Sequence, residues 1–325
     1  MRTVSLGLAL AAGLAAQVSA GDAPAGLVAA WPETDFSRSA VDFTEILSGG
    51  VPRDGIPAIT DPEMIPATGK TELDGREPVM SVEMDGRTPR AYPIRYLTWH
   101  EIVNDMIGGV PVAVTFCPLC NSGLVFDRRV AGRTLEFGVS GLLRFSDMVM
   151  YDRATHSWWQ QFTGEAIAGE LTGETLTQIV SWTEPWSAFL ARNPDGLVMA
   201  EPAADRRPYG KNPYVSYDSA ARPFLYDGAP PPHDVPPLAR VVRVEDRAWP
   251  LERLARAGEI EEEGLRITWA PGMASALDSA RIAEGRDVGA IRVRDAATGR
   301  DIAHEVVFAF AFHAFAPDGV WMLGP

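Results

Sequence analysis

Two runs of alternating residues converge on a short spacer. Val112, Val114 and Phe116 alternate with Ala113 and Thr115, and strand-like residues resume from Leu124 to Val130. Between the runs stand Cys117-Pro118-Leu119-Cys120, followed by the turn formers Asn121, Ser122 and Gly123. A chain written this way has to place a CxxC at the bend between two strands. These two cysteines are the only ones in the sequence. Sulfurs three residues apart can share a metal ion, close a local disulfide, or cycle between dithiol and disulfide.

Several familiar uses of the motif are excluded by its neighbours. Covalent haem attachment requires CxxCH, and Asn121 stands where the histidine should be. A thioredoxin-like pair opens a long amphipathic helix, but here Gly123 and a strand-like LVFDR follow. A zinc ribbon needs a second CxxC. The HEIVND segment at His100 is not HExxH, because residue 104 is Asn104. A metal site completed by histidine or thioether, or a local redox or structural pair, remain.

The rest of the chain reads as β-rich α+β, mainly antiparallel sheets and hairpins with a few short helices. Pro78 to Pro93 is expected as a hairpin, with Val79–Met84 and Thr88–Tyr92 flanking a type I′ turn at Asp85-Gly86. A second hairpin is expected from Leu124 to Val139 around Ala131-Gly132. Ile94 to Ile107 has helical spacing with Gly108-Gly109 as its stop. Short helices are expected over Glu184–Arg192 and Pro250–Ala257, and strands over Leu238–Val244, Leu265–Ala270 and Val288–Val293. Glu305 to Phe315 is the longest expected strand. Residues 201–237 read as an irregular surface loop anchored by Tyr209, Tyr214 and Tyr217. No internal repeat is visible.

The first twenty residues have the form of a signal peptide: Arg2, an apolar run from Val4 to Ala16, and a Val18-Ser19-Ala20 cleavage site. That implies export to the periplasm or the extracellular space, with no stable membrane insertion after cleavage. An extended lead-in over 21–40 and a single β-rich domain over 41–325 would follow. The compartment permits disulfides. A net charge of −14 argues against nucleic acid and anionic membranes as partners.

Candidate ligands to complete a sulfur site are His100 and His313. On a strand from Glu305, His313 would share a face with Ala309 and Ala311, leaving room for an imidazole to reach a cavity. The plain alternatives are a helix-face residue pairing with a carboxylate such as Asp105 or with backbone at His100, and a core histidine hydrogen-bonded to a carbonyl at His313. Thiolate with imidazole suits copper or zinc. A second constellation is Asp127, Arg128, Arg144, Asp147, Tyr151, Asp152, Arg153 and Gln160, with Trp158 and Trp159. It could line a pocket for a small polar ligand with paired acids as catalysts, or simply pin hairpins through salt bridges.

Taken together, HEIVND, GGVPVAVTFCPLCNSGLVFDR, FGVSGLLRFSDMVMYDR, SWWQQFTGEAIAGE, RPYGKNPYVSYD and VVFAFAFHAFAPDG resemble the domain of unknown function 3179 family of exported bacterial and archaeal proteins. The resemblance spans most of the chain and makes the CPLC segment a family signature. It implies no activity. Three functions therefore stay open: an exported protein that binds copper(I) or zinc through CPLC, as a redox enzyme or metal handler; an enzyme or binding module using the Arg/Asp/Trp pocket, with structural cysteines; or a structural protein.

Overall fold

The computed structural model describes residues 23–69, 72–203 and 207–324. The proposed signal segment lies outside them. The lead-in carries a short helix, Ala25–Ala30, and Ser39 bridges to Ala168.

The chain is strand-rich, as its turn-punctuated pattern implies, with several antiparallel sheets and short helices. Val110–Cys117 lies at the centre of a five-stranded sheet between Ile102–Ile107 and Ser122–Asp127. All eight of its residues are buried. Both faces of this strand are covered, so alternate positions hold Val and Ala rather than apolar and polar residues. The ladder runs out at Cys117↔Ser122, so the two cysteines sit on and just beyond its last rung.

A second five-stranded sheet packs alongside, in the order Ile46–Ser48, Phe137–Arg144, Asp147–Asp152, Trp158–Gln160, Ala166–Ala168. A bulge between Val139 and Leu142 bends its long hairpin. Gly141 sits there at φ +77°, and a Cβ would come 2.1 Å from the Val51 carbonyl oxygen, so no larger residue fits.

Three expectations need correction. The helix from Ile94 stops at His100, and Ile102–Ile107 is a strand. Gly108 and Gly109, at φ +52° and +85°, are a hairpin turn rather than a helix stop. The β-branched Ile102 and Val103 gain more by pairing with Thr115 and Val114 than by continuing a helix. The Glu305 strand ends at Phe308, and Ala309–Phe315 is a helix. Its first four residues are all buried, as for a helix that is apolar all round. Its first N–H groups are satisfied by the Ala239 and Pro237 carbonyls at 2.8 and 2.9 Å. In the Pro78–Pro93 hairpin, the strands are Pro78–Val82 and Arg90–Pro93, so Asp85-Gly86 belongs to a longer connection. The Ala131-Gly132 turn does join paired residues, Val130 to Arg133.

One local unit occurs twice. In the first copy, the Pro78–Val82/Arg90–Pro93 hairpin leads into the helix Ile94–His100 and then into the meander Ile102–Ile107, Val110–Cys117, Ser122–Asp127. In the second, the Arg240–Val244/Arg247–Pro250 hairpin leads into Leu251–Ala257 and then into Glu259–Glu262, Leu265–Ala270, Ala290–Asp295. Each helix is seven residues long and starts after a proline, Pro93 or Pro250, whose fixed φ suits that position. The copies differ where the meander turns for the second time. There the first has CPLC, and the second has a long connection.

Candidate metal centre

Cys117 ends its strand and Cys120 lies in the turn that follows. Three contacts fix that turn: the Phe308 N–H donates to the Cys120 carbonyl at 2.9 Å, Asn121 Nδ2 to the Val306 carbonyl at 2.7 Å, and the Tyr217 hydroxyl to the Leu119 carbonyl at 3.0 Å. Asp147 arrives from the neighbouring sheet. It opens the Asp147–Asp152 strand directly after the tight turn Phe145-Ser146, with φ of +51° and +65°. Such a turn prefers glycine or asparagine, so the chain tolerates strain at the residue before the carboxylate.

Two sulfurs and a carboxylate oxygen therefore meet within 4.8 Å of one another, from residues that are 2% exposed or less. Asp147 Oδ2 accepts from Gln160 Nε2 at 2.6 Å and from the Phe162 N–H at 3.0 Å. Its Oδ1 is buried without a hydrogen-bond partner. Burial pushes the Asp147 carboxyl up to about 7, and pushes both thiols up, Cys120 furthest. Neighbouring acids reinforce these shifts, among them Glu101 beside Cys117 and Glu305 beside Asp147. A dry cluster of acidic groups with an unsatisfied oxygen is one in which a bound cation relieves the desolvation of every member.

The expected histidines are not in this cluster. The His100 ring contacts the Pro57 carbonyl at 2.8 Å through Nδ1 and the Tyr209 hydroxyl at 2.7 Å through Nε2. That arrangement clasps the helix end to the 201–237 segment. His313 lies on the Ala309–Phe315 helix instead of a strand, half-buried, with Nδ1 lacking a hydrogen-bond partner. Among the described residues, the group that could hold a metal is Cys117, Cys120 and Asp147.

The Arg/Asp/Trp constellation also separates. Asp147 and Gln160 belong to the cluster. Asp127 pairs with exposed Arg129, and Arg128 donates to the Val112, Leu135 and Asp105 carbonyls. Arg144 pairs with Glu45, while Tyr151 and Arg153 both bind Asp54. Asp152 accepts from Thr155 and from Trp159 Nε1, which closes a turn. Most of these groups pin hairpins in separate places.

Glu101 was singled out by no motif, and it is the residue sequence reasoning missed. It follows the Ile94–His100 helix at φ +58°, ψ −36°, near the strained γ-turn conformation. The residue is 9% exposed and lines a cavity of about 460 Å³ together with Leu119, Met148, Tyr214 and Tyr217. Leu119 lies between the cysteines and Met148 follows Asp147, so the cavity adjoins the cluster. Desolvation, helped by Asp147, pushes the Glu101 carboxyl up to about 8.

No helix among the described residues is long and apolar enough to cross a membrane. No curated protein and no solved structure matches the chain. The family described as "Protein of unknown function (DUF3179)" matches residues 53–319, which include both cysteines, Asp147, Glu101 and the whole repeated unit. The chain therefore belongs to the DUF3179 family.

Proposed function

We propose that Cys117, Cys120 and Asp147 are the protein ligands of one soft or borderline metal ion, and that the protein is an exported metalloprotein. The observation that carries this is the convergence of two thiols and a carboxylate within 4.8 Å in a fully buried site. Residues 117 and 147 come from different sheets, so the grouping is not a by-product of one local turn. Three protein ligands leave one position open in a tetrahedral site, the arrangement typical of catalytic rather than structural zinc.

The carboxylate discriminates between the two metals. Copper(I) prefers sulfur, and two thiolates can serve it without help from a hard oxygen. A set of two sulfurs and one carboxylate suits zinc better. Once bound, zinc would supply Lewis-acid character at the open position. Gln160 and the Phe162 N–H orient the Asp147 carboxylate, and the Ser146 carbonyl lies 3.9 Å from the Cys117 sulfur. A dithiol oxidoreductase fits less well, because a reactive pair needs an accessible, low-pKa thiol. Here both thiols are buried and shifted upward.

Metal analysis of protein purified without a histidine tag tests this reading. About one zinc per chain is expected, lost on Cys117→Ser/Cys120→Ser substitution. Copper at the same stoichiometry would reassign the metal. Protein that neither retains nor takes up zinc or copper would refute the site.

A further inference from the structure

The cavity beside the cluster has one polar end. Among the described residues, neither the Glu101 carboxyl nor the Tyr214 hydroxyl has a hydrogen-bond partner. Tyr217, in contrast, is engaged: it donates to Leu119 and accepts from the Phe224 N–H at 3.2 Å. The remaining walls are largely apolar, with Ile56, Val139, Leu142, Leu143, Met148 and Phe224 among them. Burying nine-tenths of Glu101 carries a desolvation cost that only a group inside the cavity can offset. The backbone at Glu101 adds to that cost.

The second copy of the repeated unit isolates this cost. The residue matching Glu101 is Gly258, at φ +73°, ψ −48°. The backbone bonds are the same in both. The Glu101 N–H donates to the Leu97 carbonyl and the Gly258 N–H to the Leu254 carbonyl, each at 2.8 Å. The Glu101 carbonyl accepts from Phe116 at 2.8 Å, and the Gly258 carbonyl from Trp269 at 2.7 Å. The fold therefore needs this backbone shape and is served by glycine. A glutamate in the copy beside the cavity departs from the local backbone preference, as residues at functional sites do.

We propose that this cavity is a binding site for a neutral small molecule with an apolar body and one hydrogen-bond-accepting oxygen, such as a ketone, ester or amide. The Glu101 carboxyl and the Tyr214 hydroxyl donate to that oxygen. A volume of about 460 Å³ lies within the usual range for small-molecule sites. In the metal-free protein, the burial of Glu101 favours its neutral, donating form. Anions are disfavoured because no Arg, Lys or His is among the residues that line the cavity. The proposal does not rest on metal binding.

Displacement of the neutral fluorophore N-phenyl-1-naphthylamine by 2-nonanone, nonanoate and nonylamine tests it at neutral pH. The fluorophore should bind one per chain, and 2-nonanone should displace it at least tenfold better than nonanoate. Glu101→Leu should still bind the fluorophore, which shows that the variant is folded, but should bind the ketone roughly fivefold more weakly, as expected for one lost hydrogen bond. Glu101→Gln, which keeps a donor, should retain most of the ketone affinity. Absence of fluorophore binding would overturn the site. Nonylamine binding tightest would overturn the ligand class, because the carboxyl would then act as an anion. Equal ketone affinity in Glu101→Leu would remove Glu101 from the site. Repeating the titration after chelator treatment separates this question from the metal: binding should persist, and its loss would mean that the ligand sits on the ion.

Discussion

Glu101 and Gly258 occupy the same position in two copies of one structural unit, with matching positive φ and the same two backbone hydrogen bonds. One carries a buried carboxyl and the other carries no side chain. The pair gives an internal comparison of what the backbone requires with what the site adds.

Replacing Glu101 by glycine should therefore stabilise the protein. Relief of strain at such a position is worth about 1–3 kcal/mol, offset by about 0.5–1 kcal/mol for the extra freedom of glycine when unfolded. A net gain of about 1 kcal/mol should appear as a higher urea midpoint with an unchanged slope. Gly258→Glu should lower the midpoint. A destabilised Glu101→Gly variant would show that the carboxyl supports the fold.

The raised carboxyls set the pH dependence of the metal-free protein. Glu101 moves from 4.5 to about 8 and Asp147 from 3.8 to about 7 on folding. Between these values the folded chain holds protons that the unfolded chain has released. Stability should thus fall as pH rises, from about pH 4 to 7 through Asp147 and from about pH 4.5 to 8 through Glu101. Urea titrations with chelator at pH 5, 6, 7 and 8 should show the decline, and Glu101→Gln should flatten its upper part. A midpoint that rises across this range would contradict the assignment.

The cysteines should matter to stability through metal rather than through a covalent staple. A disulfide across three residues closes too short a loop to stabilise much, and Pro118 already restrains the segment. Cys117→Ser/Cys120→Ser should melt like the metal-free parent, and zinc should raise the melting temperature of the parent alone. Asp147→Asn should bind zinc more weakly while keeping the Gln160 contact. Equal zinc-induced shifts in parent and double variant would place the metal elsewhere.

The segment over the cavity is tethered by Asp218. This fully buried carboxylate pairs with Arg240 at 3.0 Å and Arg286 at 2.9 Å, and also accepts from Ser275. Asp218→Ala leaves buried Arg240 without its partner and should cost about 3–5 kcal/mol. Limited proteolysis should then cut between residues 213 and 224 faster than in the parent. Unchanged cleavage would mean that the segment is held by Tyr217 and its neighbours instead.

Much of the architecture was legible in the sequence. The CxxC at a strand-to-strand bend, the short helices near residues 186 and 251 and the Ala131-Gly132 turn all follow from local chemistry. What misled was burial on both sides. Ile102–Ile107, apart from exposed Met106, and the first four residues of Ala309–Phe315 are enclosed, so their apolar residues mark no single face, and period alone assigned each to the wrong class. His313 lost its strand for that reason. Asp147 stood among the sequence candidates for a different role, because nothing local brings it to the sulfurs. Glu101 and the repeat were hard to see, since the two copies share backbone shape and only a short run of residues, Arg90 to Leu97 against Arg247 to Leu254, in which Arg, Ala, Pro and the last Leu match.

The clamps on the CPLC turn come from Phe308, Val306 and Tyr217, residues translated long after Cys120. The last of these clamps therefore reaches the turn only once the C-terminal strand has been made. If the cluster takes a metal, topology sets the order of events: an ion captured early would be sealed in by the arriving C-terminal strand, whereas one offered later would have to wait for that strand to loosen. On the proposed metal reading, loading would thus be tied to maturation, and an oxidant met before closure would compete with the metal for the same two sulfurs.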